Sequence, residues 1–263
     1  MLHSRMYEDF RPNAVNDQVT YSGGKVRLHV EAALANGARV EATEAQSHYL
    51  LHVMRTRVGN QILLFNGKDG EWLASIGSIA KRYCILSCEL RTRPQRGEPD
   101  IWLCFAPIKK TPADYLTQKA TELGVSVLQP VITHRTVVPR VNTERMRANA
   151  VEAAEQSERL TVPAVRQPLT LDNLLADWPA DRQLIFCDEA GEASPIREIV
   201  GAHPASAWAV LTGPEGGFDA AERKRIRSQA FVTPVSLGPR ILRADTAALA
   251  ALSVWQATAG DWR

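Results

Sequence analysis

The chain has 263 residues, 45% of them apolar, with 31 lysines and arginines against 29 aspartates and glutamates, a formal net charge of +2. That length is enough for one large domain or two ordinary ones, and the charge balance neither demands nor excludes a nucleic-acid partner, because clustering of cations matters more than their sum. No apolar run approaches the roughly 18 to 20 residues of a membrane helix and no secretory pattern opens the chain, so a cytoplasmic, non-membrane protein is expected.

Up to residue 92 the pattern is mainly that of strands. "QILLFNG" and "EWLASIGSIA" flank the turn "NGKDG", and "YCILSCELR" follows. One helix interrupts them, "SHYLLHVMRTR", with Ser47 as its expected N-cap and Leu50, Leu51, Val53 and Met54 as an apolar stripe. The four cysteines (Cys84, Cys88, Cys104, Cys187) show no C-x-x-C spacing, so reduced, packed thiols are expected rather than a metal site.

Two prolines, a glycine and three arginines in "RTRPQRGEP" have the composition of a linker. The expected division is therefore a β-rich domain over residues 1–92, a linker over 93–99 and a second domain over 100–263. Beyond the linker, strands such as "IWLCFAPI", "QLIFCDE" and "AWAVLTG" alternate with helices. The first of those helices, "TPADYLTQKATELG", is expected to have Thr111 as N-cap, Pro112 at its first position and Gly124 at its end. Alternation of this kind indicates an α/β domain with a largely parallel sheet covered by helices.

Within that domain "LTGPEGGF" (211–218) lies between a strand and a helix. Asp219, with Glu222 three residues later, has the spacing of a capping box for that helix. A plain turn needs one or two glycines, whereas three at the carboxyl end of a parallel strand let a ligand approach the backbone. The stretch matches neither G-x-x-x-x-G-K-[ST] nor G-x-G-x-x-G, so a phosphate cradle is disfavoured. Some twenty residues on, "VSLGPRILRADTAALAALSVWQ" ends a strand in Gly238-Pro239, carries Arg240 and Arg243 in a short loop, and starts a helix near Asp245 or Thr246. Two such loops at successive strand ends are candidates for two walls of one pocket. The last helix, small or apolar on nearly all faces, is expected to pack against the sheet or a second subunit.

These two stretches, with "QKATELGV" (118–125), "AAEQSER" (153–159) and "HYLLHVMRTRVGN" (48–60), resemble the motifs of the RsmE family, bacterial 16S ribosomal RNA (uracil-N3) methyltransferases of the SPOUT class. The resemblance implies an N-terminal PUA-like β-barrel that binds RNA and a C-terminal SPOUT domain, α/β with a trefoil knot. It also implies S-adenosylmethionine as methyl donor, 16S rRNA or the assembled small subunit as partner, and a homodimer formed through the C-terminal domain. The sequence departs from the family at Glu158, where the motif has glycine, and in a longer region from about Asn13 to Val40.

On this resemblance the cofactor would be held by Leu211, Thr212, Gly213, Pro214, Glu215, Gly216 and Gly217 on one side. Leu237, Gly238, Ile241, Leu242, Arg243, Thr246 and Ala247 would hold it on the other. Methyl transfer to a uracil nitrogen requires alignment of donor and acceptor and loss of the N3 proton, which a nearby cation favours. Arg243 is the first candidate for that cation and Arg240 the second, although Arg240 also suits a loop brace. Glu155 and Glu215 are the carboxylates placed to take the proton or orient the base, with a solvated helix face and a loop brace as their structural alternatives. RNA contacts are expected from Arg5, Arg55, Arg57, Lys109, Lys110, Arg135 and Arg140. His48 and His52 lack the His-Glu-x-x-His pattern of a metal pair and are expected at the surface or facing RNA. Two other functions stay open from sequence: a SPOUT enzyme acting on transfer RNA, and a non-catalytic RNA-binding assembly protein.

Overall fold

The computed structural model describes residues 26–80, 83–138, 140–188, 193–202 and 207–262. Arg5, and the expected long N-terminal region before Val26, lie outside them.

The N-terminal domain is a five-stranded sheet built from β1 (Arg27–His29), β2 (Arg39–Glu41), β3 (Gln61–Phe65), β4 (Glu71–Ala80) and β5 (Tyr83–Arg93), in the order β1-β3-β4-β5-β2. Three register irregularities between β4 and β5 bend the sheet. Val26 and Leu28 on one edge and Val40 on the other join a single core with Leu64, Ile76 and Leu86, so the sheet curls around one interior. Cys84 and Cys88 are buried in that core, as their alternation predicts.

The interrupting helix starts earlier than its sequence implies. α1 (Glu44–His48) is capped by Thr43, whose hydroxyl accepts from the Gln46 amide while the Gln46 side chain accepts from Thr43 N–H. Ser47 lies inside the helix, buried, where its hydroxyl donates to Ala42 O and accepts from Cys84 N at 3.0 Å. A π-helical turn, Tyr49–Val53, follows. Of the expected stripe Leu50 is buried, but Val53 and Met54 are exposed, because the wider turn rotates them off the core side.

The second domain is an all-parallel sheet flanked by helices. Its elements are β6 (Asp100–Phe105), α2 (Lys110–Glu122), β7 (Val127–Ile132), α3 (Thr143–Gln156), β8 (Ala164–Val165), β9 (Leu169–Thr170), α4 (Leu171–Ala176), β10 (Arg182–Cys187), β11 (Ser194–Pro195), α5 (Ile196–Ala202), β12 (Ala207–Thr212), α6 (Ala220–Arg227), β13 (Val232–Ser236) and α7 (Ala244–Thr258). The strand order is β11-β13-β10-β12-β6-β7-β8, with β9 also on β7. Alternate residues of each central strand enter two cores. Ile101, Leu103, Ile185, Trp208 and Val210 meet the face covered by α2, α3, α5 and α7, whereas Trp102, Cys104, Phe186, Ala209 and Leu211 meet the face covered by α4 and α6. Burial on both faces explains why these strands read as continuous apolar runs.

From β10 the chain steps to β12, returns across β10 to β13, and then lays α7 against β12, α2 and α5. This is the SPOUT arrangement. α7 therefore packs within its own domain, with Ala248, Ala251, Leu252 and Trp255 buried. α2 is not capped by Thr111. Its N-cap is Lys109, without a side-chain hydrogen bond, while Gly124 closes the helix at φ +83°.

The two domains meet at the C-terminal end of α3. Arg27, 6% exposed, donates through Nη1 to Ala154 O and Glu155 O and through Nη2 to Arg159 O, all at 2.9 Å. Its Nε donates to Glu71 Oε2 at 2.8 Å, and its guanidinium lies 4.5 Å from the Phe65 ring centre. Burial works to raise the Glu71 pKa, but the hydrogen bonds from Arg93, Arg27 and Thr92 together hold it below the ordinary carboxylate value. Arg93 also reaches across, donating to Glu158 O at 2.9 Å. Phe65, Ala154 and Leu160 make a small apolar seam beside the polar one. Glu158, at the position where the family motif has glycine, adopts φ +60°, the left-handed region that glycine enters without cost.

Replacing Arg27 by methionine leaves Glu71 as a buried charge lacking one partner and should lower stability to urea by about 3–5 kcal/mol. Glu158→Gly should be more stable than Glu158→Ala by about 1 kcal/mol, roughly 2–4 °C in Tm by thermal unfolding, since only the alanine retains a Cβ in the left-handed conformation.

Candidate active site

The carboxyl ends of four neighbouring strands, β13, β10, β12 and β6, open onto one cavity of about 930 Å³. In parallel α/β sheets this is where ligands bind, next to the point where the strand order reverses. One wall is the loop 213–218. Gly217, buried and at φ +65°, closes a turn by donating to Pro214 O at 2.9 Å. A methyl group on Gly213 would lie 2.8 Å from the Phe218 ring, so glycine there permits the aromatic to fold back under the loop. The loop ends at Asp219, whose carboxylate accepts from Glu222 N at 2.7 Å while Glu222 accepts from Asp219 N at 3.0 Å. That capping box is the one the spacing predicts.

The other wall is the loop 237–243. Leu237, Gly238, Ile241, Leu242 and Arg243 all line the cavity, as does Ala247 in the first turn of α7. The expected pairing of the two glycine-proline loops is thus physically realised. Thr212, Gly213, Pro214, Glu215 and Gly217 line the opposite side. Three expected residues fall elsewhere. Leu211 is fully buried in the sheet core, Thr246 is exposed outside the cavity, and Gly216 turns its carbonyl away from the lining to accept from Arg135.

Arg240 and Arg243 both line the cavity, and neither side chain has a hydrogen-bond or ionic partner among the described residues. Glu155 is not at the cavity. It stands at the domain joint, where Oε1 accepts from His29 N at 2.9 Å, and burial raises its pKa against the opposing pull of that N–H and of Arg27. Its helix ends on the N-terminal domain, so a carboxylate near the helix terminus serves the joint rather than the pocket.

Strand-end residues that sequence reasoning overlooked complete the floor. Asp188, 5% exposed at the end of β10, accepts from Arg223 Nε at 3.0 Å and Arg227 Nε at 2.7 Å. Ile108, Val235 and Phe218 supply apolar surface. The signal for Asp188 is weak, an acid directly after "QLIFC", and nothing local shows that its strand neighbours both glycine loops. Cys187 also lines the cavity, but burial pushes its thiol up to about 12, and the Cys104 thiol is raised to about 12 by the same cause.

The expected RNA contacts are dispersed. Arg55 and Arg57 are exposed on the N-terminal domain beside exposed Val53, Met54 and Val58, and the His48 and His52 rings lie there tilted to one another with centres 4.8 Å apart. Lys109 and Arg140 are exposed on the second domain, and Lys110 opens α2 with its side chain outside those described. Arg135 alone among them lines the cavity. No group of three or more metal-ligating side chains occurs among the described residues.

A cavity of this size accommodates a cofactor of nucleoside dimensions. Its apolar walls, open backbone edges and carboxylates suit an adenosyl group carrying a cationic tail, so the residues present fit S-adenosylmethionine.

The fold and site define an RNA methyltransferase built with a PUA domain. Residues 96–256 match the model of an RNA methyltransferase domain, and residues 42–87 match that of an RNA methyltransferase PUA domain. The chain belongs to the family of ribosomal RNA small subunit methyltransferase E. The protein of that name from Rickettsia conorii is 32% identical over 229 residues, covering 86% of this chain and 93% of the relative. That from Bacillus subtilis is 32% identical over 223 residues, 80% and 87% of the two chains. Among solved structures, ribosomal RNA small subunit methyltransferase E from Neisseria gonorrhoeae bound to S-adenosyl methionine superposes with a TM-score of 0.82 at 30% identity, covering 90% of this chain and 99% of that one.

Burial raises all four thiol pKa values above 9.0, so the folded protein should resist Ellman's reagent at pH 8 and release four equivalents of thiolate in denaturant. The same shifts set a pH dependence. The unfolded chain ionises near 9 while the folded thiols at Cys104 and Cys187 stay neutral to about 12, so stability is intact below pH 9 and falls as pH rises from 9 toward 12.

Proposed function

We propose that the protein methylates N3 of a uridine in small-subunit ribosomal RNA, using S-adenosylmethionine bound between the loops 213–218 and 237–243. The observation that carries this reading is the single cavity walled by both glycine-proline loops, with the guanidinium of Arg243, unpaired among the described residues, at its edge. When bound, the cofactor supplies an electrophilic methyl group on a sulfonium sulfur. The Gly213 N–H and the carbonyls of Gly213, Gly217 and Gly238 would serve its polar edges, and Ile108, Leu237 and Leu242 would enclose its apolar ones. Arg243 favours the uracil base with its N3 proton removed, because a cation nearby stabilises the resulting anion. Glu215, which also lines the cavity, is the carboxylate that would take that proton. Arg240, which also lines the cavity, holds the RNA at its mouth.

The cationic surface at Arg55 and Arg57 grips phosphates and orients the RNA without selecting the base. The reading places the enzyme in the cytoplasm as a homodimer formed through its C-terminal domain. Ile241, 87% exposed at the cavity, and Tyr115, one turn beyond cavity-lining Pro112 on α2, support this by offering apolar surface beside the site.

Small ribosomal subunits lacking this modification, incubated with the protein and methyl-labelled cofactor, should acquire label at uridine N3. Label confined to transfer RNA, or RNA binding with no label, would overturn the reading. Arg243→Ala should lower kcat by about 10²-fold while leaving cofactor affinity within a few-fold, measured by single-turnover labelling and calorimetry.

A further inference from the structure

The turn after β7 is fastened to the cofactor-loop region by three contacts between segments more than eighty residues apart. Arg135 Nη1 donates to Gly216 O at 2.8 Å, His134 N donates to Glu222 Oε1 at 2.7 Å, and His134 Nδ1 lies 3.1 Å from Asp219 Oδ2. The turn is rigid in itself. Thr133 N donates to Thr136 Oγ1 at 2.9 Å, and Thr136 N donates to Thr133 O at 3.1 Å. The aliphatic stem of Arg135 packs over Gly216, where an added methyl group would meet Cδ at 3.5 Å and Cβ at 3.6 Å. These contacts hold Gly216 out of the lining and leave Glu215 and Gly217, its two neighbours, facing the cavity.

Arg135 is also exposed and lines the cavity mouth. A guanidinium has five N–H donors in a fixed fork, and this one gives one of them to Gly216 O while its charge also acts on the nearby Asp219 carboxylate. The side chain that carries the remaining donors is exposed and lines the cavity. One side chain can therefore hold the cofactor loop and a phosphate of the incoming RNA together, which a lysine, as a point charge, does not do with the same geometry.

We propose that Arg135 is a positioning residue that couples RNA binding to cofactor binding by bridging an RNA phosphate and the Gly216 carbonyl. The proposal rests on the methyltransferase reading above. Two sites joined by one element that both ligands bias must tighten each other reciprocally.

The test is calorimetric titration of S-adenosylhomocysteine, which binds without turnover, into the full-length protein with and without unmethylated small ribosomal subunits. In the wild-type protein the RNA should tighten S-adenosylhomocysteine binding by about 10-fold, within the usual range of such couplings. In Arg135→Ala the factor should fall to within about 2-fold of unity. Arg135→Lys should regain RNA affinity but not the coupling, a split that loss of charge or of loop structure alone does not produce. A wild-type factor near one, or a factor undiminished in Arg135→Ala, overturns the proposal while the methyltransferase reading stands. Failure of the wild-type protein to bind S-adenosylhomocysteine at all would overturn that reading, and the proposal with it. A thermal unfolding midpoint for both variants within a few degrees of wild type confirms that folding is not what changed.

Discussion

A single guanidinium lies at the junction on which the relation of the two domains depends. Arg27 is removed from water, and burial lowers its pKa while Glu71 opposes that shift. It remains a cation because every direction around it is answered, by a carboxylate on its own domain and by three carbonyls at the end of α3 on the other. Helix C-terminal carbonyls carry partial negative charge, so a buried cation placed there gains from the dipole as well as from hydrogen bonds. Arg93 and His29 reach the same helix end, through Glu158 O and the Glu155 carboxylate. The exposed Arg55 and Arg57 of the first domain are thereby held in a defined relation to the cavity of the second.

The cavity itself follows from strand order. β10 is flanked by β12 and β13, so their two following loops meet over its end, and Asp188 lies beneath them. Neither loop forms a pocket alone. The glycines permit tight backbone turns and close approach, while the apolar floor comes from residues that are strand and core positions first. Asp188 is tolerated in that floor because two arginines of α6 neutralise it.

Local chemistry was legible wherever it is decided locally. The Asp219–Glu222 capping box needs only three-residue spacing, and the glycine turn at 213–217 only the absence of side chains. The buried strands showed themselves as continuous apolar runs. Ser47 illustrates the opposite case. Its residue type suits an N-cap, but a packed neighbour, the Cys84 amide of β5, claims its hydroxyl, and Thr43 with Gln46 makes the better cap. Thr111 likewise yields to a helix that begins one residue earlier. Glu155 sits in a motif that reads as part of the site, yet the helix it ends is seated on the other domain.

Sequence by itself determined the strand-rich first part, the α/β alternation, the two cavity loops and the kinship that joins them, because periodicity, caps and glycine turns are properties of neighbouring residues. Tertiary structure alone decided that Asp188 completes the floor, that Glu155 belongs to the domain joint, that Arg135 fastens the 213–218 loop and that Glu158 occupies a left-handed conformation. Each of those depends on which distant backbone or side-chain group comes within about 3 Å, a matter of strand order and domain docking that no local pattern encodes.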